Sequence, residues 1–218
     1  MRLIARTLNF LYHHLYHDLA FTYDAVAAIV SFGKWIEWTK TVLPHIEGTR
    51  VLELGHGPGH LQRLLLKMRS AKSPDFAIIV GLDESSQMGR LARRRLLHSG
   101  YAQPNLTRGL GQRLPFAAES FDSIVATFPA DYIFAAQTAS EARRVLRNGG
   151  RLIVLPVAWP KNRFLTWLYR VTNEAPSEAL NVVKSKIGQP FVRAGFEVRV
   201  ETLEVQSSVL LIVLAKKR

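Results

Sequence analysis

Three glycines stand close together in the segment VLELGHGPGH, residues 51–60. Glycine lets a backbone turn with positive φ and lets a ligand approach the main chain, so Gly55, Gly57 and Gly59 suit a binding loop. The amphipathic run HLQRLLLKMR follows at once and predicts a helix, whose first amides have no partner inside the helix. The pattern indicates either an ordinary strand–turn–helix connection or a loop that binds a ligand through its main chain.

Two acidic residues favour the binding loop over the ordinary turn. Glu53 lies near the carboxyl end of the first predicted strand, where we expect it to be exposed and to have no packing role. A second apolar segment, residues 76–82, also ends in an acid, Asp83. A simple turn needs neither carboxylate, so the pair indicates a site at the ends of these strands.

Composition narrows the class of protein. The 218 residues suffice for one domain, or one domain with a small appendage, and 48% hydrophobic residues are normal for a globular chain. We find no apolar run long enough to span a membrane and no signal-peptide pattern, so we expect a cytoplasmic protein. The chain has no cysteine and no metal-ligand spacing of histidines, so we expect no metal site.

The formal net charge of +12 favours a polyanionic partner or an anionic membrane surface. The basic residues are spread over several predicted helices, and no nucleic-acid-binding motif accompanies them. Nucleic acid is therefore not the expected partner, whereas a membrane surface remains one.

The N-terminal region, residues 1–44, predicts a helical cap. Residues 2–20 carry one apolar stripe at spacings of three and four, and residues 25–43 predict a second helix that includes Trp35 and Trp38. The first helix either packs over the core or lies at a membrane surface or over an apolar substrate.

The rest of the chain, residues 45–218, alternates apolar strands with helices, which is typical of a parallel α/β sheet. After the first strand we predict strands at 76–82, 104–107, 121–127, 151–156, 196–203 and 209–215. We predict helices at 85–98, 135–146, 162–172 and 177–186, with another beginning at 190–194. The last two strands are too close in sequence for a helical crossover and should pair antiparallel.

Four segments, VLELGHGPG, GLDESSQM, LPFAAESFD and EARRVLRNGGRLIV, resemble the motifs of class I S-adenosylmethionine-dependent methyltransferases, in that family's order. The branches most similar are the ubiquinone/menaquinone-biosynthesis-like and the phospholipid methyltransferases. The resemblance runs from about Tyr23 to the C-terminus. It implies a Rossmann-like sandwich with a mostly parallel seven-stranded sheet, an antiparallel closing strand and N-terminal helices, with 45–218 as the cofactor-binding domain.

The resemblance also implies roles for individual residues. The three glycines would approach the methionine part of S-adenosylmethionine, Glu53 would face its ammonium group, and Asp83 would accept both ribose hydroxyls. Met88 would lie along the adenine or belong to the core. The implied cofactor-binding set is Glu53, Gly55, His56, Gly57, Gly59, Asp83, Glu84, Met88, Gly111, Gln112 and Thr127.

The sequence departs from the family pattern at two places. Thirty residues separate Glu53 from Asp83, which is longer than usual and indicates an extended first helix or following loop. Leu110-Gly111 stands where relatives often carry Asp-Ala, so adenine recognition would fall to main-chain groups near Gly111 and Gln112.

Methyl transfer is an in-line displacement that needs no covalent enzyme residue, so positioning can supply much of the rate. The candidates beside the reacting methyl are residues 127–132. Asp131 would hold an ammonium or accept a proton and Tyr132 would orient the acceptor, unless both belong to a surface loop. His56 could also face the pocket.

The aromatic and basic segment 157–169 follows the fifth strand and suggests an apolar acceptor, although core packing explains its aromatics as well. We therefore expect a methyltransferase that acts on a small apolar or lipid-like acceptor, a phospholipid head group or a quinone precursor, at the periphery of a membrane. An RNA methyltransferase and a catalytically silent cofactor-binding or interaction domain remain as alternatives. The oligomeric state stays open.

Overall fold

A computed structural model describes residues 34–72, 78–160 and 176–218, and every structural statement below concerns these residues. The predicted stripe at 2–20, most of the predicted helix at 25–43 and the predicted helix at 162–172 lie outside the described residues. The greater part of the aromatic segment 157–169 also lies outside them.

Seven strands form one sheet in the order β3-β2-β1-β4-β5-β7-β6. The strands β1 to β5 pair in parallel, and β7 is antiparallel to both of its neighbours. This confirms the predicted fold, including the antiparallel pairing of the last two strands. The bounds are β1 (Arg50–Leu54), β2 (Ile78–Asp83), β3 (Asn105–Arg108), β4 (Phe121–Thr127), β5 (Leu146–Pro160), β6 (Phe196–Val205) and β7 (Ser208–Lys217).

Helices connect the strands and cover the sheet. The described α-helices are α1 (Trp35–Lys40), α2 (His60–Lys72), α3 (Ser86–His98), α4 (Ala136–Val145) and α5 (Pro176–Arg193), and short 3-10 turns lie at Leu43–His45 and Asp131–Phe134. Ser85 caps α3, because its hydroxyl oxygen accepts the Met88 amide at 3.2 Å. This cap fixes the point at which α3 starts directly after β2.

Two predicted boundaries are wrong. The helices predicted at 177–186 and 190–194 are one helix, α5, with Pro190 inside its last turns. The apolar spacing of Val183, Ile187 and Phe191, which all pack in the core, continues through the proline and outweighs the lost hydrogen bond.

The fifth strand also starts earlier than predicted, at Leu146 and not at residue 151. Leu146 pairs with Phe121, and the next pair on β4 joins Ser123 to Arg151. Residues 147–150 are therefore an irregularity within the strand, and Gly149 supplies a φ of 77° there.

The core lies on both faces of the sheet. Alternate residues of β5 go to opposite clusters: Leu152 and Val154 pack on one face, Ile153 and Leu155 on the other. Strands buried on both faces read as continuous apolar runs. A carboxylate inside such a strand, such as Glu53 in β1, is therefore an exception that calls for a reason.

Candidate functional site

The glycine loop connects β1 to α2 and needs its glycines. Gly55, Gly57 and Gly59 have φ values of 71°, 50° and 84°, in the region that L-residues with side chains avoid. A Cβ atom on Gly59 would lie 3.0 Å from Cβ and 3.2 Å from Cα of Ala92, so the loop is pressed against α3. The backbone conformation disfavours larger residues at all three positions, and close packing adds to this at Gly59.

Glu53 is buried beneath this loop, with 1% of its surface exposed, and the prediction that it would be exposed is wrong. Its place in β1 explains this, because both faces of that strand are covered. Burial raises the pKa of Glu53 well above its ordinary value of 4.5; the neighbouring Gln62 opposes the shift and the charge of Asp83 adds to it. Its Oε2 atom has no hydrogen-bond partner among the described residues, so the carboxyl group is complementary to a donor or cation placed in the site.

Asp83 ties the glycine loop to the connection between β2 and α3. Its Oδ2 accepts the Gly57 amide at 2.8 Å and its Oδ1 accepts the Ser85 amide at 2.8 Å. The side chain is 4% exposed. A carboxylate has about four acceptor positions, so two remain for a ligand's hydroxyl groups. Asp83 therefore has a structural task besides the predicted ribose contact.

His56 belongs to the same buried polar group. Its Nδ1 donates to the Gly57 carbonyl at 2.7 Å, which leaves Nε2 as the acceptor of the neutral ring. Burial lowers the pKa of His56, while the Asp83 carboxylate partly opposes that shift. The ring lies against β2, since a Cβ on Gly81 would be 3.0 Å from His56 Cδ2 and 3.1 Å from Gln62 Nε2.

A cleft beside the loop joins the acidic site to an aromatic wall. Glu53, Gly55 and His56 line it together with Thr127, Phe128 and Trp35. Phe128 follows β4 directly with an unusual φ of 49°, and its amide donates to the Leu155 carbonyl at 2.7 Å. The ring centroids of Phe128 and Trp35 are 4.1 Å apart. Thr127 is where the resemblance implies it, at the end of β4.

Phe128 lies in the segment 127–132 that the sequence proposed beside the reacting methyl group. Sequence reasoning missed the other residues that line this cleft, which are Trp35, Thr39, Pro58, His60 and Leu61. Trp35 and Thr39 lie on α1, and only the fold brings that helix beside the glycine loop.

On the other side of the glycine loop, residues 110–113 form a tight turn. The Arg113 amide donates to the Leu110 carbonyl at 3.1 Å. Leu110 is 50% exposed, whereas Gly111 is buried and Gln112 is exposed. The main chain of this turn is thus the part available for the adenine contact that the resemblance implies.

An ion pair on α4 holds the segment after this turn, and sequence reasoning missed it. Glu141 Oε2 accepts the Leu114 amide at 2.8 Å, and Arg144 donates to the carbonyls of Leu114 at 3.0 Å and Phe116 at 2.8 Å. Glu141 also accepts from Arg144 Nε at 2.7 Å, and this bond lowers the pKa of Glu141. The EARR motif therefore clamps the LPF motif.

The SFD motif has a structural task. The Asp122 carboxylate accepts the amides of Thr49 and Arg50, each at 2.9 Å. These bonds join the start of β1 to β4 at the edge of the sheet opposite the glycine loop.

The remaining predicted residues do not line this cleft. Met88 is fully buried at the start of α3 and Glu84 is exposed beside Asp83. Asp131 is exposed at the start of the 3-10 turn. Tyr132 reaches the glycine loop, because a Cβ on Gly55 would lie 2.5 Å from its hydroxyl oxygen.

A mostly parallel sheet of this strand order, with a glycine loop after β1 and carboxylates in β1 and at the end of β2, defines the class I S-adenosylmethionine-dependent methyltransferase fold. The chain belongs to the ubiE/COQ5 methyltransferase family, whose sequence profile matches residues 7–175.

Relatives and a solved structure agree with this assignment. A demethylmenaquinone methyltransferase of Thermotoga maritima is 33% identical over 156 residues, which are 70% of this chain and 64% of the relative. The ubiquinone/menaquinone biosynthesis C-methyltransferase UbiE of Geobacter sulfurreducens is 30% identical over 71% of this chain and 61% of its own length. The chain thus spans less than two thirds of both relatives. A S-adenosylmethionine-dependent methyltransferase from Aquifex aeolicus shares the fold, with a TM-score of 0.58 and 20% identity over 83% of this chain and 89% of that one.

Family membership implies S-adenosylmethionine as the cofactor, and the residues of the site fit it. The buried Oε2 of Glu53 lacks a partner among the described residues and suits the ammonium group. The glycine loop presents main chain without side chains, and Asp83 keeps acceptor positions for hydroxyl groups. No helix in the described part of the chain is long and apolar enough to span a membrane.

Proposed function

We propose that this chain methylates a ring carbon of a quinone precursor with S-adenosylmethionine. The observation that carries the proposal is the single cleft that joins Glu53 and Gly55, on the cofactor side, to the aromatic wall of Trp35 and Phe128. The names of both relatives support a quinone precursor as the acceptor, and the name of the UbiE relative, a C-methyltransferase, supports carbon as the methylated atom.

The cofactor supplies, when bound, a methyl group on a sulfonium sulfur. The chain's own residues bind the cofactor and the acceptor and orient them toward each other. Glu53 and the glycine loop hold the methionine end, while the aromatic wall offers a planar ring an apolar surface. Holding the ring carbon and the methyl group in line supplies much of the rate.

The ring carbon that gains the methyl group loses a proton, which needs an acceptor. Asp131 is our candidate, because it lies four residues after Thr127 in the segment that leaves the cleft, and its side chain is exposed. The buried carboxyl groups of Glu53 and Asp83 are committed to other contacts.

The test is methyl transfer by the purified chain from radiolabelled S-adenosylmethionine to demethylmenaquinone, with phospholipid and RNA as competing acceptors. Label in the quinone fraction supports the proposal. Cofactor binding without label in that fraction would refute it, and label in phospholipid or RNA would reassign the acceptor.

A variant of the aromatic wall sharpens the test. Trp35→Ala should raise KM for the quinone acceptor and leave KM for the cofactor near that of the wild type. Glu37→Ala, on the exposed side of the same helix, is the matched control, and it should change neither. An equal rise in both KM values would show that Trp35 supports the fold and not the acceptor.

We further propose that the chain meets this apolar acceptor at an anionic membrane surface. The net charge of +12 supports this, as does an exposed stripe on α3 made of Arg90, Arg93, Arg94 and Leu97. These residues recur at spacings of three and four, so they share one helix face. Basic side chains beside an apolar one suit an interface of anionic lipid.

Co-sedimentation with liposomes that contain phosphatidylglycerol tests this surface. The double variant Arg93→Glu/Arg94→Glu should bind less than wild type at low salt. The control Lys186→Glu/Arg199→Glu makes the same charge change on α5 and β6, away from α3, and should bind more than the α3 variant. Equal losses would attribute binding to net charge alone, and no binding by wild type would refute the membrane proposal. Deletion of residues 1–20 separately tests the predicted N-terminal helix.

A further inference from the structure

The side chain of Tyr132 lies between the two halves of the cofactor site. Its hydroxyl oxygen would be 2.5 Å from a Cβ on Gly55 in the glycine loop. On the other side, a Cβ on Gly111 would be 2.9 Å from Tyr132 Cε2 and 3.0 Å from Cδ2. The same Cβ would lie 3.4 Å from Thr138 Cγ2. The tyrosine ring therefore fills the space between the glycine loop and the 110–113 turn.

This space is the path that a bound cofactor has to cross. The methionine part is assigned to the glycine loop at Gly55 and the adenine to the main chain near Gly111. A molecule that contacted both glycines would pass through the volume that the ring of Tyr132 occupies. Ring and cofactor would then compete for this volume.

The backbone around Tyr132 is anchored at its neighbours. Ile133 is fully buried, and the ring of Phe134 packs with its centroid 6.1 Å from that of Phe191 on α5. At the start of the segment, the Phe128 amide is bonded to β5 through Leu155. A movement of the whole 3-10 turn would break this packing, whereas rotation of the Tyr132 side chain alone would break only the contacts of its own ring with the core.

We propose that Tyr132 is a gate of the cofactor site: its ring closes the space between Gly55 and Gly111 and rotates out to admit the cofactor. The proposal rests on the cofactor assignment of the proposed function. The glycines at positions 55 and 111 leave room for either occupant, the ring or the ligand.

A gate predicts in which direction the apparent Kd changes when the ring is removed. The apparent Kd is the intrinsic Kd divided by the open fraction, so a ring that is in the cleft nine-tenths of the time weakens binding about tenfold. Removing the ring should therefore tighten binding and speed association. A tyrosine that instead contacts the bound cofactor would give the opposite sign, because its removal would weaken binding.

The experiment measures binding of S-adenosylhomocysteine by titration calorimetry and association by stopped-flow tryptophan fluorescence, with wild type and three variants. Tyr132→Ala should lower Kd about tenfold and raise the association rate, since the cleft is then always open. Tyr132→Phe keeps the ring and should remain close to wild type. Tyr101→Ala, which removes a half-buried tyrosine after α3, is the matched control and should leave Kd unchanged.

The outcomes separate the gate from the cofactor site. If wild type binds and Tyr132→Ala binds equally or more weakly while its melting temperature shows a folded protein, the gate is refuted and the cofactor site stands. If neither wild type nor any variant binds, the cofactor site is refuted and the gate with it. If Tyr132→Ala does not fold, Tyr132→Leu replaces it in the experiment. This variant removes the hydroxyl and the aromatic ring but keeps an apolar side chain, and its Kd should also fall below that of wild type.

Discussion

Replacement of Gly59 by alanine tests whether the glycine loop is as tightly built as the structure indicates. Gly59 has a φ of 84°, and alanine in a left-handed conformation costs about 1–2 kcal/mol. The new Cβ would lie 3.2 Å from Cα and 3.0 Å from Cβ of Ala92, atoms close to the backbone of α3 that cannot rotate away. Overpacking of this kind typically costs about 1–3 kcal/mol.

The two costs together predict that Gly59→Ala lowers the free energy of unfolding by about 2–5 kcal/mol. For a chain of this length, the melting temperature falls by about 2–4 °C per kcal/mol. Thermal unfolding followed by circular dichroism, with urea titration as the second measure, reads out both quantities.

Two further glycines separate the backbone cost from the packing cost. Gly100 follows α3 with a φ of 87°, but no atom would lie within 4 Å of an added Cβ, so Gly100→Ala should show the backbone cost alone. Gly89 lies within α3, also has nothing within 4 Å, and has no positive φ; alanine there should stabilise the protein by up to about 1 kcal/mol. If Gly59→Ala costs no more than Gly100→Ala, the close packing of the loop on α3 is refuted.

Four further predictions concern the carboxyl groups and the turn around the cleft. Burial raises the pKa of Glu53, so the folded chain binds its proton more tightly than the unfolded chain and the free energy of unfolding falls as pH rises from about 4.5 toward the raised pKa. Glu53→Gln should abolish that fall, as urea titrations at a series of pH values would reveal; parallel pH profiles would contradict it. Asp83→Ala should lower both the melting temperature and its rise with S-adenosylhomocysteine, because the amides of Gly57 and Ser85 lose their acceptor; an undiminished ligand-induced rise would exclude a ribose contact. Leu110→Asp should leave cofactor Kd unchanged or lower it, and a large increase in a folded variant would show that Leu110 packs on the adenine. Arg144→Met should raise cofactor KM more than it changes kcat, since it frees the Leu114–Phe116 segment; the opposite split in steady-state kinetics would contradict the clamp.

The order of strands and helices could be predicted because each strand is encoded by a pattern within its own sequence segment. Apolar runs bounded by turns predicted the strands, and the short connection before β7 predicted its antiparallel pairing. The two wrong boundaries arise where long-range packing outweighs a local break. Pro190 and the Asn148–Gly150 stretch both look like ends of elements, yet Phe191 continues the buried face of α5, and the pairing of Leu146 with Phe121 carries β5 past the glycines.

The site could be predicted only where its residues stand next to one another in sequence. Family motifs implied the glycine loop and Asp83, and the structure brings both together. The burial of Glu53, the neighbourhood of Trp35 and the contact of Tyr132 with Gly55 depend on elements far apart in the chain. No spacing in the sequence relates Tyr132 to Gly55 or Gly111, because the packing of the 3-10 turn against the glycine loop creates that relation.

Two costly features of the described residues meet at the carboxyl ends of β1 and β4. Glu53 is a carboxyl group in a strand that is buried on both faces, and Phe128 has a positive φ without being glycine. Each feature costs folding free energy. An apolar residue in place of Glu53, or glycine in place of Phe128, would remove that cost. Both line the same cleft, one on the cofactor side and the other on the aromatic wall. Two departures from local stability rules that line one cleft indicate selection for binding there and not for stability.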